Sequence, residues 1–261
     1  MRLILAFLLM LLPFTAQADE CLEQTPCFIG DRSYHVKLPD GWDGKTPLPV
    51  LMHFHGWARQ GTLIVKHARI SGATRRSGVL LLAPNGLGKS WDFWGSDTGD
   101  VDFGLAVLED AARKYPIDRS RIYVSGYSYG SAMAWRFVCE AGQNVAALLA
   151  ISGTLRQTED CVTPVNVRHV HGLKDTVMDF PFGPDGDTTN PVALWRRENG
   201  CKGPAGQVFD WSVTAKDKFT RHVWDKCASG KSVSLDLHPR GHFIPVGWIQ
   251  QQLDELLAAK G

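Results

Sequence analysis

Short apolar runs alternate with longer mixed segments along most of the chain. Residues 33–39 (SYHVKLP) alternate apolar and polar positions, the period of a half-buried strand. Residues 49–55 (PVLMHFH) and 78–84 (GVLLLAP) are apolar runs ended by turn residues, which fits strands covered on both faces. Over 100–115, Val101, Leu105, Leu108, Ala112 and Tyr115 recur at spacings of three and four. That spacing marks one face of a helix, with Asp100 as its expected N-cap. Residues 121–126 (RIYVSG) predict a strand, and 129–141 (YGSAMAWRFVCEA) a helix that is apolar nearly all round and therefore buried. Further strands are expected over 147–152, 166–172 and 233–238, and an amphipathic helix over 247–260. Strands alternating with helices make an α/β fold: a mainly parallel sheet with helices on both faces, in a single domain. The stretch 179–231, rich in Gly, Pro and Trp, reads as an irregular insertion above that sheet.

The first residues stand apart from this alternation. Arg2 supplies a positive start, residues 3–12 an unbroken apolar run, and Ala16-Gln17-Ala18 a small-residue cleavage site. That order predicts a secretory signal peptide over 1–18, leaving 19–261 as the mature domain. The run is too short for the roughly 20 residues of a membrane span, so no membrane anchor is expected. With Asp19 and Glu20 before Cys21, lipid attachment is not expected either. Lys plus Arg number 28 against 27 Asp plus Glu, and no block of like charge stands out. Nothing therefore points to nucleic acid or an anionic membrane as partner.

All six cysteines follow the expected cleavage site, and an even number in an exported chain suggests disulfides. Spacing alone leaves the connectivity open. A sequential arrangement of Cys21–Cys27, Cys139–Cys161 and Cys201–Cys227 is expected, with unpaired buried thiols as the alternative. The chain would then sit in an oxidising compartment, secreted or periplasmic.

The chemistry centres on "GYSYG", residues 126–130, between a strand and a slim helix. In that context a serine sits on a strained turn with its hydroxyl lifted clear of the sheet, which makes Ser128 the candidate nucleophile. A hydroxyl is a poor nucleophile at neutral pH, so it needs a base, and the base an orienting acid. On this architecture both follow the serine, acid first, each in a loop after a later strand. Asp175 in "HGLKDTV" and His242 in "HPRGHFIP" fill those places. Asp179, Asp185 and Asp187 are rival acids, and His238, which ends its strand, is a rival base.

An oxyanion needs two preorganised donors: the N–H of Tyr129 and one from the loop "HFHGWARQ", where Trp57 is the candidate. Trp91 and Trp94, with Phe243 beside the base and Phe180 and Phe182 near the acid, are candidates to line a substrate cleft. Alternatively these aromatics pack the loops. The pairs His53/His55 and His169/His171 each share one face of a strand, as metal ligands can. No third ligand cluster accompanies them, so packed histidines near the site rim are expected and no metal site.

From about Ser33 to His242 the chain resembles the secreted polyhydroxybutyrate depolymerase and feruloyl esterase group of α/β-hydrolase serine esterases. The likeness is carried by "VDFGLAVLEDAARKYPIDRSRIYVSGYSYGSAMAWRFVCE", by "HVHGLKDTV" and by the cysteine-flanked "RGHFIP" segment. It implies carboxylic-ester hydrolysis by Ser128, Asp175 and His242 through an acyl-enzyme, with neither metal nor organic cofactor. The chain departs from the group at Trp57, where a cysteine is frequent, at bulky Tyr129, and around the base. Soluble or oligomeric esters (hydroxybutyrate, feruloyl or acetyl) are the expected substrates. Acyl transfer by the same residues, or a non-catalytic binding role on the same scaffold, are the alternatives.

Overall fold

The apolar runs do become the inner strands of a sheet. A computed structural model describes residues 21–95, 99–155 and 161–259, so the expected signal peptide lies outside the described residues. Ten strands form one sheet: β1 (Cys27–Ile29), β2 (Arg32–Lys37), β3 (Leu48–Phe54), β4 (Leu80–Pro84), β5 (Ile117–Tyr127), β6 (Ala147–Ile151), β7 (Asn166–Gly172), β8 (Gln207–Ser212), β9 (Lys218–Trp224) and β10 (Val233–His238). Their order is β1-β2-β4-β3-β5-β6-β7-β10-β9-β8. Neighbours from β4 through to β10 are parallel, whereas β1, β2, β9 and β8 pair antiparallel at the two edges.

Buried side chains fill both faces. On one face, α3 (Gly99–Lys114) and α4 (Tyr129–Ala141) cover Val50, Met52, Phe54, Val124 and Leu148. On the other, α1 (Gly61–Ile64), α2 (Ser71–Arg76) and α6 (Trp248–Ala258) cover Leu51, Tyr123, Leu149 and Val170. A short α5 (Ala193–Glu198) brings Trp195 into the first layer, against Trp135 of α4. Parallel strands covered on both sides have no polar face, which is why β3, β4 and β6 are buried at every position.

Two expectations need correction. The stretch 179–231 is not wholly irregular, since it supplies β8 and β9 to the sheet edge. β8 is exposed along nearly its whole length, so it lacks the apolar alternation that reveals a half-buried strand. Asp100 is not an N-cap, because the helix already includes Gly99. Its carboxylate is buried in the first turn, accepting from Arg32 (Nη2, 2.6 Å) and from the N–H of Asp92 (2.8 Å).

One buried carboxylate gathers the β8–β9 edge and the C-terminal helix. Asp236 of β10 accepts two bonds from the Arg221 guanidinium of β9 (2.8 and 2.9 Å). It also accepts the indole N–H groups of Trp211 on β8 (2.7 Å) and Trp248 on α6 (2.8 Å). A buried anion is tolerable only with its lone pairs filled, and here all are engaged. Disulfides join Cys21 to Cys27, Cys139 to Cys161 and Cys201 to Cys227.

Candidate active site

Ser128 sits between the end of β5 and the start of α4 at φ 59° and ψ −126°. A side-chain-bearing residue reaches this region only when its surroundings impose it, at a cost of about 1–3 kcal/mol. Two glycines impose it here. A Cβ on Gly126 would lie 2.0 Å from the Gly130 carbonyl oxygen, so the chain must double back tightly. Ser131 pins the start of α4, its hydroxyl donating to the Gly153 carbonyl (2.7 Å) and accepting from the Ile151 N–H (3.1 Å). The carbonyl of Ser128 accepts the N–H groups of Ser131 and Ala132. At the first position of α4, the N–H of Tyr129 has no carbonyl a turn behind it.

The loops carrying Asp175 and His242 are joined to each other. Leu173 N–H donates to the His238 carbonyl (2.9 Å) and Lys174 N–H to that of Arg240 (3.1 Å). Gly172 lets the strands end in contact, since a Cβ there would meet the Arg240 carbonyl oxygen at 2.3 Å. The result is a 2.7 Å hydrogen bond between His242 Nδ1 and Asp175 Oδ2. A carboxylate only accepts, so Nδ1 carries the proton and Nε2 presents a lone pair. The imidazole lies over the ring of Tyr127, the residue before Ser128, with centroids 4.8 Å apart. No hydrogen bond joins the serine hydroxyl to the imidazole in this arrangement. Such contacts commonly tighten only in the substrate complex.

Asp175 is buried and nonetheless ionised. Burial pushes its carboxyl upward, but bonds from His171, His242 and the Val177 N–H outweigh it and hold the group below the usual carboxylate range. The rival acids Asp179, Asp185 and Asp187 are exposed. The rival base His238 is buried, its Nδ1 accepts the Arg240 N–H (3.3 Å), and burial lowers its pKa to about 4. It shapes the loop that carries His242.

Gly56 brings the third loop close: a Cβ there would stand 3.6 Å from that of Ser128. His55 braces this loop, Nδ1 donating to the Gly56 carbonyl (2.8 Å) and Nε2 accepting from the Gly86 N–H (3.0 Å). His53 bonds Ser125 through Nδ1 (3.1 Å). Trp57 follows Gly56 with its indole exposed, 66% of its surface open. The N–H groups of the next two residues are taken, Ala58 by the Lys89 carbonyl and Arg59 by that of Gly56.

The candidate cleft residues divide. Trp94 is exposed and packs on Phe93 and edge-on to Tyr129, the residue after Ser128. Trp91 is buried, donating its indole N–H to the His55 carbonyl (2.7 Å) and meeting Phe54 edge-on. It therefore supports the loop after β3 from beneath, and with Trp94, Arg32 and Leu87 it also lines a surface cleft. Phe243 packs between His238 and the Arg240 guanidinium. Phe180 is buried against His171, and Phe182 is exposed beside it. Arg136 escaped the sequence reading. It is buried in α4, pairs with Glu140 and donates to the Gly95 carbonyl (2.6 Å), tying down the segment that bears Trp94.

A strained serine at a strand-to-helix turn, with a hydrogen-bonded imidazole and carboxylate on later loops, defines a hydrolase of the α/β-hydrolase fold. An acetyl xylan esterase from Aspergillus awamori shares that fold, with a TM-score of 0.63 at 13% identity over 87% of this chain and 94% of that one. No family model matches the chain. Curated relatives do. A bifunctional acetylxylan esterase/xylanase of Neocallimastix patriciarum is 25% identical over 81% of the chain, which spans 31% of that enzyme's length. A probable feruloyl esterase C of Aspergillus niger is 25% identical over 82% of the chain, which spans 77% of it. The resemblance to feruloyl esterase-like α/β-hydrolases is thus borne out, and the chain is a carboxylic-ester hydrolase.

Proposed function

We propose that the chain hydrolyses soluble or oligomeric carboxylic esters, of feruloyl, acetyl or hydroxybutyrate type, through an acyl-enzyme on Ser128. His242 Nε2 takes the proton of the Ser128 hydroxyl as the oxygen attacks the ester carbonyl. The tetrahedral oxyanion is held by the N–H groups of Tyr129 and Trp57. His242 then gives its proton to the departing alcohol, and water, activated by the same imidazole, releases the acid. Asp175 keeps the imidazole in the tautomer with Nδ1 protonated and stabilises its charged form. Trp94 and Trp57 offer exposed aromatic surface at the rim for an aromatic or apolar acyl group.

One observation carries this reading: the His242 imidazole is bonded to the buried Asp175 carboxylate and lies against Tyr127, the residue before strained Ser128. The names of the relatives, feruloyl esterase and acetylxylan esterase, support the substrate class. We also place the enzyme outside the cytoplasm, on the strength of its N-terminal apolar run and three disulfides. The test is Ser128→Ala, expected to lower kcat by on the order of 10⁴ or more and to abolish labelling by a fluorophosphonate. Full activity in that variant would refute the assignment.

A further inference from the structure

The pair His169/His171 stands on β7, and alternation along the strand puts both rings on one face. His171 Nε2 lies 3.3 Å from Asp175 Oδ2 and 3.2 Å from the Met178 carbonyl oxygen. Both are acceptors, so Nε2 must carry the proton. Nδ1 of the neutral ring is then a lone pair, and His169 Nε2, 3.2 Å away, donates to it. That leaves His169 Nδ1 as a lone pair, buried and without a partner among the described residues. Running the chain the other way would aim a lone pair at two acceptors. It would also strand an N–H in the apolar setting beside Trp135. A doubly protonated His171 strands the same N–H. An orphaned donor costs more than an unused acceptor lone pair, so the geometry has one direction.

We infer that His171 is a positioning residue for ester hydrolysis, its Nε2–H holding the Asp175 carboxylate in the orientation that receives His242, with His169 fixing the tautomer that allows it. The inference rests on Asp175 being the acid of the reaction. The carboxylate then takes four donors: His242 Nδ1 and His171 Nε2 on Oδ2, and the N–H groups of Val177 and Met178 (3.0 Å each) on Oδ1. The backbone pair fixes one oxygen only, and rotation about that oxygen would swing Oδ2 away from His242. His171 blocks the swing from the strand side. Nearby titratable groups are Tyr127 over His242 and His238 behind the loop.

The test is a double-mutant cycle on kcat and KM with an activated acetate ester across about pH 5 to 9. His171→Phe keeps a planar ring and removes the donor. It should lower kcat roughly tenfold to a hundredfold, the worth of a hydrogen bond to a charged group, with KM nearly unchanged. Losing one donor leaves the carboxylate more basic and a stronger partner for the imidazolium, so the acid limb of kcat/KM should move up by about half a unit to one unit. His171→Gln, which retains an N–H at a similar reach, should recover most of the rate. In an Asp175→Ala background, His171→Phe should cost nothing further. An equal fractional loss in both backgrounds, or an unchanged kcat, overturns the inference. Full activity of Asp175→Ala alone would instead remove the acid assignment beneath it. A reading that needs no variant is the ¹⁵N histidine spectrum of the native enzyme: His169 and His171 should both be neutral Nε2–H tautomers, and an Nδ1–H signature at either position overturns the scheme.

Discussion

A Cβ placed on Gly130 would lie 2.0 Å from the carbonyl oxygen of Phe54 and 2.4 Å from that of His55. The first turn of α4 is therefore pressed against the end of β3, which brings the Ser128 turn and the loop after His55 together. Gly130→Ala must push these backbones apart. The expected cost is about 3 kcal/mol, or roughly 6–12 °C in Tm for a domain of this size. Activity should fall with it, because the two proposed oxyanion donors, the N–H groups of Tyr129 and Trp57, belong to the two elements being separated. Calorimetry and kcat on the purified variant check both effects.

Asp175→Asn preserves shape and burial but replaces an acceptor with an amide. Four donors converge on this side chain, and an amide can satisfy them only by presenting its oxygen to some and clashing with others. His242 should then shift toward the tautomer with Nε2 protonated, which cannot accept the serine proton. The expected loss in kcat is on the order of 10⁴, with Tm lowered but the fold kept. Steady-state kinetics beside a circular dichroism melt separates the two.

Acid should weaken the fold through histidines that are buried neutral. Burial lowers His53 to about 3 and His55 and His238 to about 4, against 6.5 in the unfolded chain. The unfolded state therefore binds more protons over that window, and the sign of linkage makes stability rise with pH there. The contribution is complete above about pH 6.5 and is lost as the pH falls toward 4. Each histidine adds a slope approaching 1.4 kcal/mol per pH unit. Asp175, whose carboxyl is held low, adds a further loss only below the ordinary carboxylate range. Denaturant titrations at pH 7.5, 6 and 5 measure the slope, and a flat profile contradicts it.

Cys139 and Cys161 close a loop of sequence separation 22, pinning the end of α4. Replacing both by Ala should destabilise by about 3 kcal/mol through the larger freedom of the unfolded chain. The denaturant midpoint should fall, while kcat of the folded fraction stays within about twofold, since the bridge lies at the far end of the helix from Ser128.

The residues legible in the sequence are those whose positions answer to backbone sterics. Gly126, Ser128 and Gly130 announce a strained turn because few other residues survive there, and Asp175 and His242 follow from where loops leave parallel strands. The inner strands were legible because burial on both faces leaves unbroken apolar runs. β8 was not: one side faces solvent and the other pairs with β9 alone, so no periodicity marks it. Trp91 and Trp94 look alike in the sequence, and only the packing of the loop decides that one supports His55 and the other meets solvent. His171 was visible as a packed histidine, but its bond to Asp175 depends on how the loop after β7 folds back.

Asp236 draws Trp211, Arg221 and Trp248 onto a single buried anion, so β8, β9 and α6 share one anchor at this point. Loosening any one of them leaves charge and lone pairs stranded for the other two. The outer hairpin and the terminal helix should accordingly melt together as one cooperative piece, and a protease that catches one open will find the other undone.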